Sequence, residues 1–340
     1  MTKDFKKEKK LNLVGGEESP LSVRSEKLWT APFILAVIAV LALGIVSLFT
    51  GAYDILGQPD GWQMFFITRV PRTAALMLAG AAMAVSGRVM QLITQNRFVE
   101  PTTTGTIEWA GLGLLFVYIV IPAPTLVQRM TGSIIFSFIG TMIFFALLRR
   151  IRLKSSLIVP IIGIMLGAVV SALSTFLGLV YNMTQSIEVW FQGSFAPIQR
   201  GRYEYLFFIV FVTIAIYLFA DKLTVAGLGE DIATNLGLNY NRIILLGTVL
   251  VAFSVGIVSA VIGNLPFLGL IVPNIVSMYR GDNLKGNLPW VAVLGIGTIT
   301  LSDILSRVII SPFEVPVSLI LGTVGAFAFV IILLRQRRRA

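Results

Sequence analysis

Ten apolar blocks constrain this chain more than any other feature: residues 29–49, 72–93, 105–121, 132–148, 157–180, 203–220, 243–262, 265–279, 288–310 and 316–334. A helix needs roughly 20 mostly apolar residues to cross the hydrocarbon core of a bilayer. Block 265–279 is short for a span, and the others are close to that length. Lipid offers no partners to backbone N–H and C=O groups, so only helices and closed barrels cross it. Barrel strands would alternate apolar and polar residues, and these blocks do not. The expected fold is therefore all-α: a polytopic membrane protein with about ten transmembrane helices, occupying residues 29–336 as one domain. Composition agrees, since 13% of the residues are charged against about a quarter in a soluble domain.

Residues 1–28 are polar and basic and precede a block of full spanning length, with no small-residue cleavage site behind a short apolar core. They read as a disordered cytoplasmic tail, not a removable leader. Placing both termini, the tail and 337–340, in the cytoplasm puts most of the 27 Lys and Arg residues there, as the positive-inside bias requires. The net charge of +10 thus reads as topology and lipid contact, not as nucleic-acid binding. On the opposite side remain Arg69, Arg72, Arg129, Arg200, Arg202 and Arg307, which need another explanation.

The chain contains no Cys and no His. That excludes thiolate nucleophiles, Cys/His zinc sites and His-ligated haem, and no Gly-x-x-x-x-Gly-Lys-Ser/Thr phosphate loop is present. No catalytic group and no cofactor is expected, so ATP, if used, is bound by another chain. An ion-coupled secondary transporter would need carboxylates within the spans, and mid-span acids are nearly missing. Glu108, with Trp109 beside it early in the third block, lies near a path or at an interface. An intramembrane enzyme would need an aspartyl pair, and no convincing one is present.

Several sites have a local physical reading. Arg69 and Arg72 bracket Pro71 at the start of the second block, on the side depleted in basic residues, and point the same way. Arg307 sits four residues after Asp303. Each arginine could snorkel to headgroups, Arg307 could pair locally, or the three could form a basic rim. Between the sixth and seventh blocks, within 225–241, Glu230 and Asp231 favour a first helical turn and Gly237 a helix end. That predicts a short helix under the membrane. The fifth block is rich in small residues yet carries Ser171, Ser174 and Thr175, which suits a helix buried in protein or lining a path. Gly263, Pro266, Gly269 and Pro273, with Asn274, interrupt 263–275; the reading is either a tight outer hairpin or a helix start near a translocation path.

Five stretches also carry a resemblance. They are Arg69-Val70-Pro71-Arg72 followed by Leu78-Ala79-Gly80-Ala81-Ala82; Asn96-Arg97-Phe98-Val99-Glu100-Pro101-Thr102-Thr103-Thr104-Gly105; Leu228-Gly229-Glu230-Asp231-Ile232-Ala233 with Leu236-Gly237; Gly263-Asn264-Leu265-Pro266-Phe267-Leu268-Gly269 with Pro273-Asn274; and Ser302-Asp303-Ile304-Leu305-Ser306-Arg307 leading to Glu314-Val315-Pro316. In this order and spacing they closely resemble the FecCD-type permeases of iron-chelate and cobalamin ABC importers. The resemblance implies a type II importer permease fold and transport of a metal chelate across the cytoplasmic membrane. The implied partners are a second permease subunit, identical or homologous, two ATP-binding subunits and an extracytoplasmic substrate-binding (lipo)protein. It further implies that Arg69, Arg72 and Arg307 dock acidic residues of the binding protein. Gly229, Glu230, Asp231, Ala233, Leu236 and Gly237 would then belong to the helix that couples to the ATPase.

The chain departs from the common pattern at three places. It has Asn96-Arg97-Phe98-Val99-Glu100-Pro101 for Asn-Pro-Leu-Ala-x-Pro, Pro273-Asn274 for Pro-His, and Arg88 where a small residue is usual. The first two forms look like the iron–siderophore branch, including catecholate and petrobactin-type chelates, more than like the cobalamin branch. Cobalamin, haem or another chelate is the alternative cargo.

Overall fold

The computed structural model describes residues 30–55, 57–151 and 157–337, and every regular element within them is helical. The expected tail at 1–28, Arg152, Lys154 and residues 338–340 lie outside the described residues. The helices are α1 (Ala31–Phe49), α2 (Gly61–Ile93), α3 (Thr106–Val120), α4 (Leu126–Arg150), α5 (Ile158–Val180), α6 (Thr184–Phe191), α7 (Tyr203–Leu218), α8 (Ala220–Ala226), α9 (Glu230–Asn235), α10 (Tyr240–Val261), α11 (Leu268–Arg280), α12 (Leu284–Val308) and α13 (Val317–Arg337).

Each of the ten apolar blocks carries one of these helices. Six described helices are long and apolar enough to cross a membrane: α1, α2, α4, α5, α10 and α12. The pair α7–α8, bent by 61°, makes a seventh if counted as one span. The bend falls at Phe219, between the two segments, so the block read as 203–220 is a broken one.

The bundle is built around α2. Of its apolar window 78% is buried, against 17% for α1, which lies at the periphery. The small residues of α2 explain its central place, because they let neighbouring backbones approach closely. A Cβ on Gly80 would lie 2.9 Å from the Gly295 carbonyl of α12, and one on Gly87 would lie 2.0 Å from the Gly269 carbonyl of α11. Helices α2 and α12 run antiparallel. Arg72 meets Asp303 at one end, Gly80 meets Gly295 in the middle, and Arg88 meets Asp282 at the other end, just before α12. Leu, Ile, Val and Phe side chains on α1, α5, α7 and α13 remain exposed, the surface expected to face lipid or a second subunit.

Two helices stop short of a full crossing. At 1.5 Å per residue, the 15 residues of α3 reach about 22 Å and the 13 of α11 about 20 Å, against a core of about 30 Å. Both begin inside the helix layer. Thr106, at the start of α3, is 2.9 Å by its hydroxyl from that of Thr141, nine residues before α4 ends. The 263–267 stretch leads from α10 into α11, beginning beside residues 190–194, where a Cβ on Gly263 would lie 2.7 Å from the Trp190 carbonyl. It passes alongside α13, where a Cβ on Gly325 would lie 2.4 Å from that of Phe267, and α11 then starts against Gly87. Positive φ at Gly263 (106°) and Phe267 (63°) makes this reversal.

Pro71 is not at the start of its helix either. The helix begins ten residues earlier at Gly61, and a π-helical turn, Phe65–Arg69, precedes the proline. That turn absorbs the hydrogen bond that Pro71 cannot donate.

Candidate functional site

At the end of the bundle that carries the start of α2, three arginines share one set of acceptors. Asp303, fully buried on α12, receives Arg72 at 2.7 Å and Arg307 at 2.5 Å. Arg72 also reaches Glu314 at 2.9 Å. Arg307 donates to the Ser47 carbonyl at 2.9 Å, the Thr50 carbonyl at 2.7 Å and the Ser47 hydroxyl at 2.7 Å. Arg69 donates to the same Thr50 carbonyl and lies over the Gly51 backbone, where any Cβ would collide with its guanidinium. All three arginines are more than nine-tenths buried, so they form a packed cluster. Within the cluster three guanidinium groups meet two carboxylates, and the backbone carbonyls of Ser47 and Thr50 supply the remaining acceptors. Burying such a set is tolerable because the planar Arg fork satisfies several acceptors at once.

The opposite end holds the segment singled out between the sixth and seventh blocks. Helix α9 starts at Glu230 after Gly229 (φ 115°) and ends before Gly237 (φ 77°), both conformations that favour glycine. Ala233 is fully buried and anchors the turn, while Leu228, Ile232 and Leu236 are 59%, 45% and 63% exposed. Ile232 and Leu236, four residues apart, lie on one side of α9, an apolar ridge beside Glu230 and Asp231; Leu228 is exposed ahead of Gly229, outside the helical register.

Next to this segment lies a cavity of about 600 Å³ bounded by Arg88, Gln95, Arg97, Asp221, Leu228 and Asp282. Asp282 bridges Arg88 and Arg97, each at 3.1 Å. Burial pushes the Asp282 carboxyl up, but the two guanidinium groups beside it override that and hold it below the usual carboxylate range.

The residues expected near a path divide. Ser171 and Thr175 lie on the exposed face of α5, among Ile164, Met165, Val169, Leu173 and Phe176. Ser174 is buried and returns its hydroxyl to the Val170 carbonyl. Pro266 is half-buried. Gly269, Pro273 and Asn274 are buried in the body of the subunit: Gly269 against Gly87, and Asn274 donating to the Arg97 carbonyl at 2.8 Å. These three pack between α11, α2 and the 94–105 stretch. Glu108 faces α5, where a Cβ on Gly167 would be 3.2 Å from its carboxylate.

A central α2, two half-length helices, an α9 ridge at one end and a buried arginine cluster at the other define a class: the all-α permease of the type II ABC importer kind. The fold agrees in overall course with a metal-chelate type ABC transporter solved in an inward-facing conformation, with a TM-score of 0.77 at 25% identity over 89% of this chain and 99% of that one. The chain belongs to the FecCD transport family, whose sequence pattern matches residues 28–335. Its relatives include the petrobactin import system permease protein FatD of Bacillus anthracis, 72% identical over 94% of this chain and 96% of that protein. The petrobactin import permease YclN of Bacillus subtilis is 38% identical over 89% and 98%, and the ferric-anguibactin permease of Vibrio anguillarum 37% over 88% and 97%.

Proposed function

We propose that this chain is the membrane permease of an ABC importer that carries ferric siderophores, of the petrobactin class, across the cytoplasmic membrane. The observation that carries this reading is the 72% identity, nearly end to end, with a petrobactin import permease. Two permease subunits form the pathway, with Ser171 and Thr175 of α5 on the face turned towards the second one. Both termini lie in the cytoplasm.

Helix α9 is the coupling element. Its Ile232–Leu236 ridge, with exposed Leu228 just ahead of it, enters a groove of the ATPase subunit, and the apolar contact transmits nucleotide-driven closure. Arg69, Arg72 and Arg307 form the receiving end for acidic residues of a substrate-binding protein. An incoming carboxylate would share the guanidinium forks now held by Asp303 and Glu314. The chain itself carries out no covalent chemistry, and two partner ATPase subunits supply the free energy.

The test is uptake of iron-labelled chelates by cells lacking this gene. Catecholate, hydroxamate and citrate-type siderophores are compared, with cobalamin and haem as controls. Loss of uptake confined to petrobactin-like chelates, restored by the intact gene, is the expected result. Loss confined to cobalamin or haem, or restored petrobactin uptake without the gene, would refute the assignment.

A further inference from the structure

Two of the positions at which this chain departs from the common family pattern, Arg88 and Arg97, converge on a single carboxylate. Arg88 is 2% exposed and gives Asp282 two hydrogen bonds, to the carboxylate at 3.1 Å and to the backbone carbonyl at 2.9 Å. Arg97, half-exposed and standing where a proline that could not donate is usual, takes the other carboxylate oxygen at 3.1 Å. These contacts are the end of a longer seam. The Arg97 carbonyl accepts from Asn274 at 2.8 Å, midway along α11. At the far end of α11, buried Glu100 accepts the Phe267 N–H at 2.9 Å, immediately before the helix starts. The stretch 94–105 is therefore tied to α11 at its beginning, middle and end.

The same seam touches the segment leading into α9. Thr224 of α8 accepts the Leu284 N–H at 3.3 Å, and Asp221 pairs with Lys285 at 2.8 Å, both just beyond Asp282. A Cβ on Gly227 would lie 2.9 Å from Leu92, at the end of α2. Movement of α8–α9 thus meets the Asp282 turn and the end of α2 together.

We infer that Arg88, Arg97 and Asp282 are positioning residues that clamp 94–105 to α11, so that the pair moves as one lever and passes displacement of α8–α9 into the membrane. The inference rests on the coupling role proposed for α9. A half-length helix held at only one end would tilt when pushed and dissipate the motion locally. Held at three points along its length, it transmits the push to Phe267 and the start of α11, beside the buried 263–267 reversal. Arg88 has no acceptor at Nε among the described residues, so Asp282 is what makes its burial tolerable.

The natural absence of cysteine makes the test clean. The permease is reconstituted with its ATPase subunits and binding protein in liposomes, and ferric chelate taken up per ATP hydrolysed is measured. In Arg97→Cys/Asp282→Cys, both positions are half-exposed and reactive. A reversible bis-methanethiosulfonate bridge spans the gap left by the arginine better than a direct disulfide. We expect uptake per ATP to fall about fivefold or more in the unbridged form, with ATPase assembly kept, and to return in part on bridging, Arg88 then keeping at position 282 only the backbone carbonyl. Arg97→Gln, which leaves the Arg88–Asp282 pair in place, decides the matter if the double variant does not assemble. It should lose coupling to a similar degree, and Arg97→Lys should recover part of it. Bridged protein that hydrolyses ATP but transports nothing would mean the two sides must part, and would overturn the lever. So would Arg97→Gln with wild-type coupling. A wild-type complex that takes up no ferric chelate refutes the transport reading, and the lever falls with it.

Discussion

Alanine at Gly87 perturbs the contact between α2 and α11 directly. The added methyl would stand 2.0 Å from the Gly269 carbonyl oxygen, 2.3 Å from its Cα and 2.4 Å from its carbonyl carbon. All three are backbone atoms, so no side-chain rotation relieves the clash. An ordinary contact needs about 3.5 Å, so α11 must retreat from α2 by over an ångström while the Glu100–Phe267 and Asn274–Arg97 hydrogen bonds hold it in place. Overpacking of this kind destabilises by about 1–3 kcal/mol, and more where backbone must move. Two comparisons calibrate the effect. Alanine at Gly269 views the same contact from the other side, with its nearest atom, the Met83 carbonyl, at 2.9 Å, and should be milder. Alanine at Gly286 meets nothing closer than 3.9 Å in the first turn of α12, where losing a helical glycine gains about 0.5–1 kcal/mol. The assay is the thermal midpoint of detergent-solubilised protein, read by loss of the monodisperse species. The expected order of stability is Gly87→Ala, then Gly269→Ala, then wild type, then Gly286→Ala at the top. A Gly87→Ala protein that melts with the wild type would refute the close α2–α11 contact and the central place given to α2.

Other expectations follow from the two ends of the bundle. Arg307→Ala leaves Asp303 with one cation and the Ser47 and Thr50 carbonyls with a void; breaking such a buried pair costs about 3–5 kcal/mol, read as a large drop in folded yield and melting point. Leu236→Asp should abolish co-purification of the ATPase subunit while leaving the permease folded, since that side chain is exposed; undiminished co-purification would remove the ridge from the interface. Arg69→Glu with Arg72→Glu should weaken docking of the binding protein, measured as its affinity for permease in nanodiscs, without releasing the ATPase. For Asp282, the folded carboxyl lies below its unfolded value, so its contribution to stability is present above about pH 4 and is lost as pH falls through the lower, folded value. The melting-point advantage of wild type over Asp282→Asn should therefore be constant from pH 7 to about 5 and shrink below about 4.

The helices were legible because their driving force is local. The block read as 157–180 and helix Ile158–Val180 agree to within a residue, since uninterrupted apolar sequence is itself the signal. Where polar residues start a helix, the signal fails. Helix α12 begins at Leu284, not 288, because Asn283 caps it by accepting the Gly286 N–H, and Lys285 and Asn287 look like loop. Arg69 and Arg72 look like a boundary, and helix α2 starts well before them for a related reason: Arg72 pairs with Asp303 and Glu314, more than 230 residues away, and Arg69 donates to the Thr50 and Tyr53 carbonyls. No local pattern reveals that pairing. The short helix α9 was legible from Glu230, Asp231 and Gly237, because dipole and left-handed cap are local physics. The depth at which α3 and α11 start was not, because it depends on Glu100 reaching Phe267 across 167 positions.

That contrast bears on how the chain works. Long apolar helices are stabilised by their surroundings along their whole length and resist relative movement. Half-length helices α3 and α11 are packed as closely along their length, α3 on α4 at Gly113 and Gly132 and α11 on α2 at Gly269 and Gly87, but their backbone at the breaks needs partners that only a specific arrangement supplies. Both breaks carry residues of positive φ, at Gly105 on one side and Gly263 and Phe267 on the other. Charge is placed accordingly: the arginine cluster with Asp303 locks α1, α2 and α12 at one end, and the Arg88–Asp282–Arg97 clamp ties the shorter α11 at the other. The two sets of ion pairs thus hold opposite ends of α2 against distant parts of the chain.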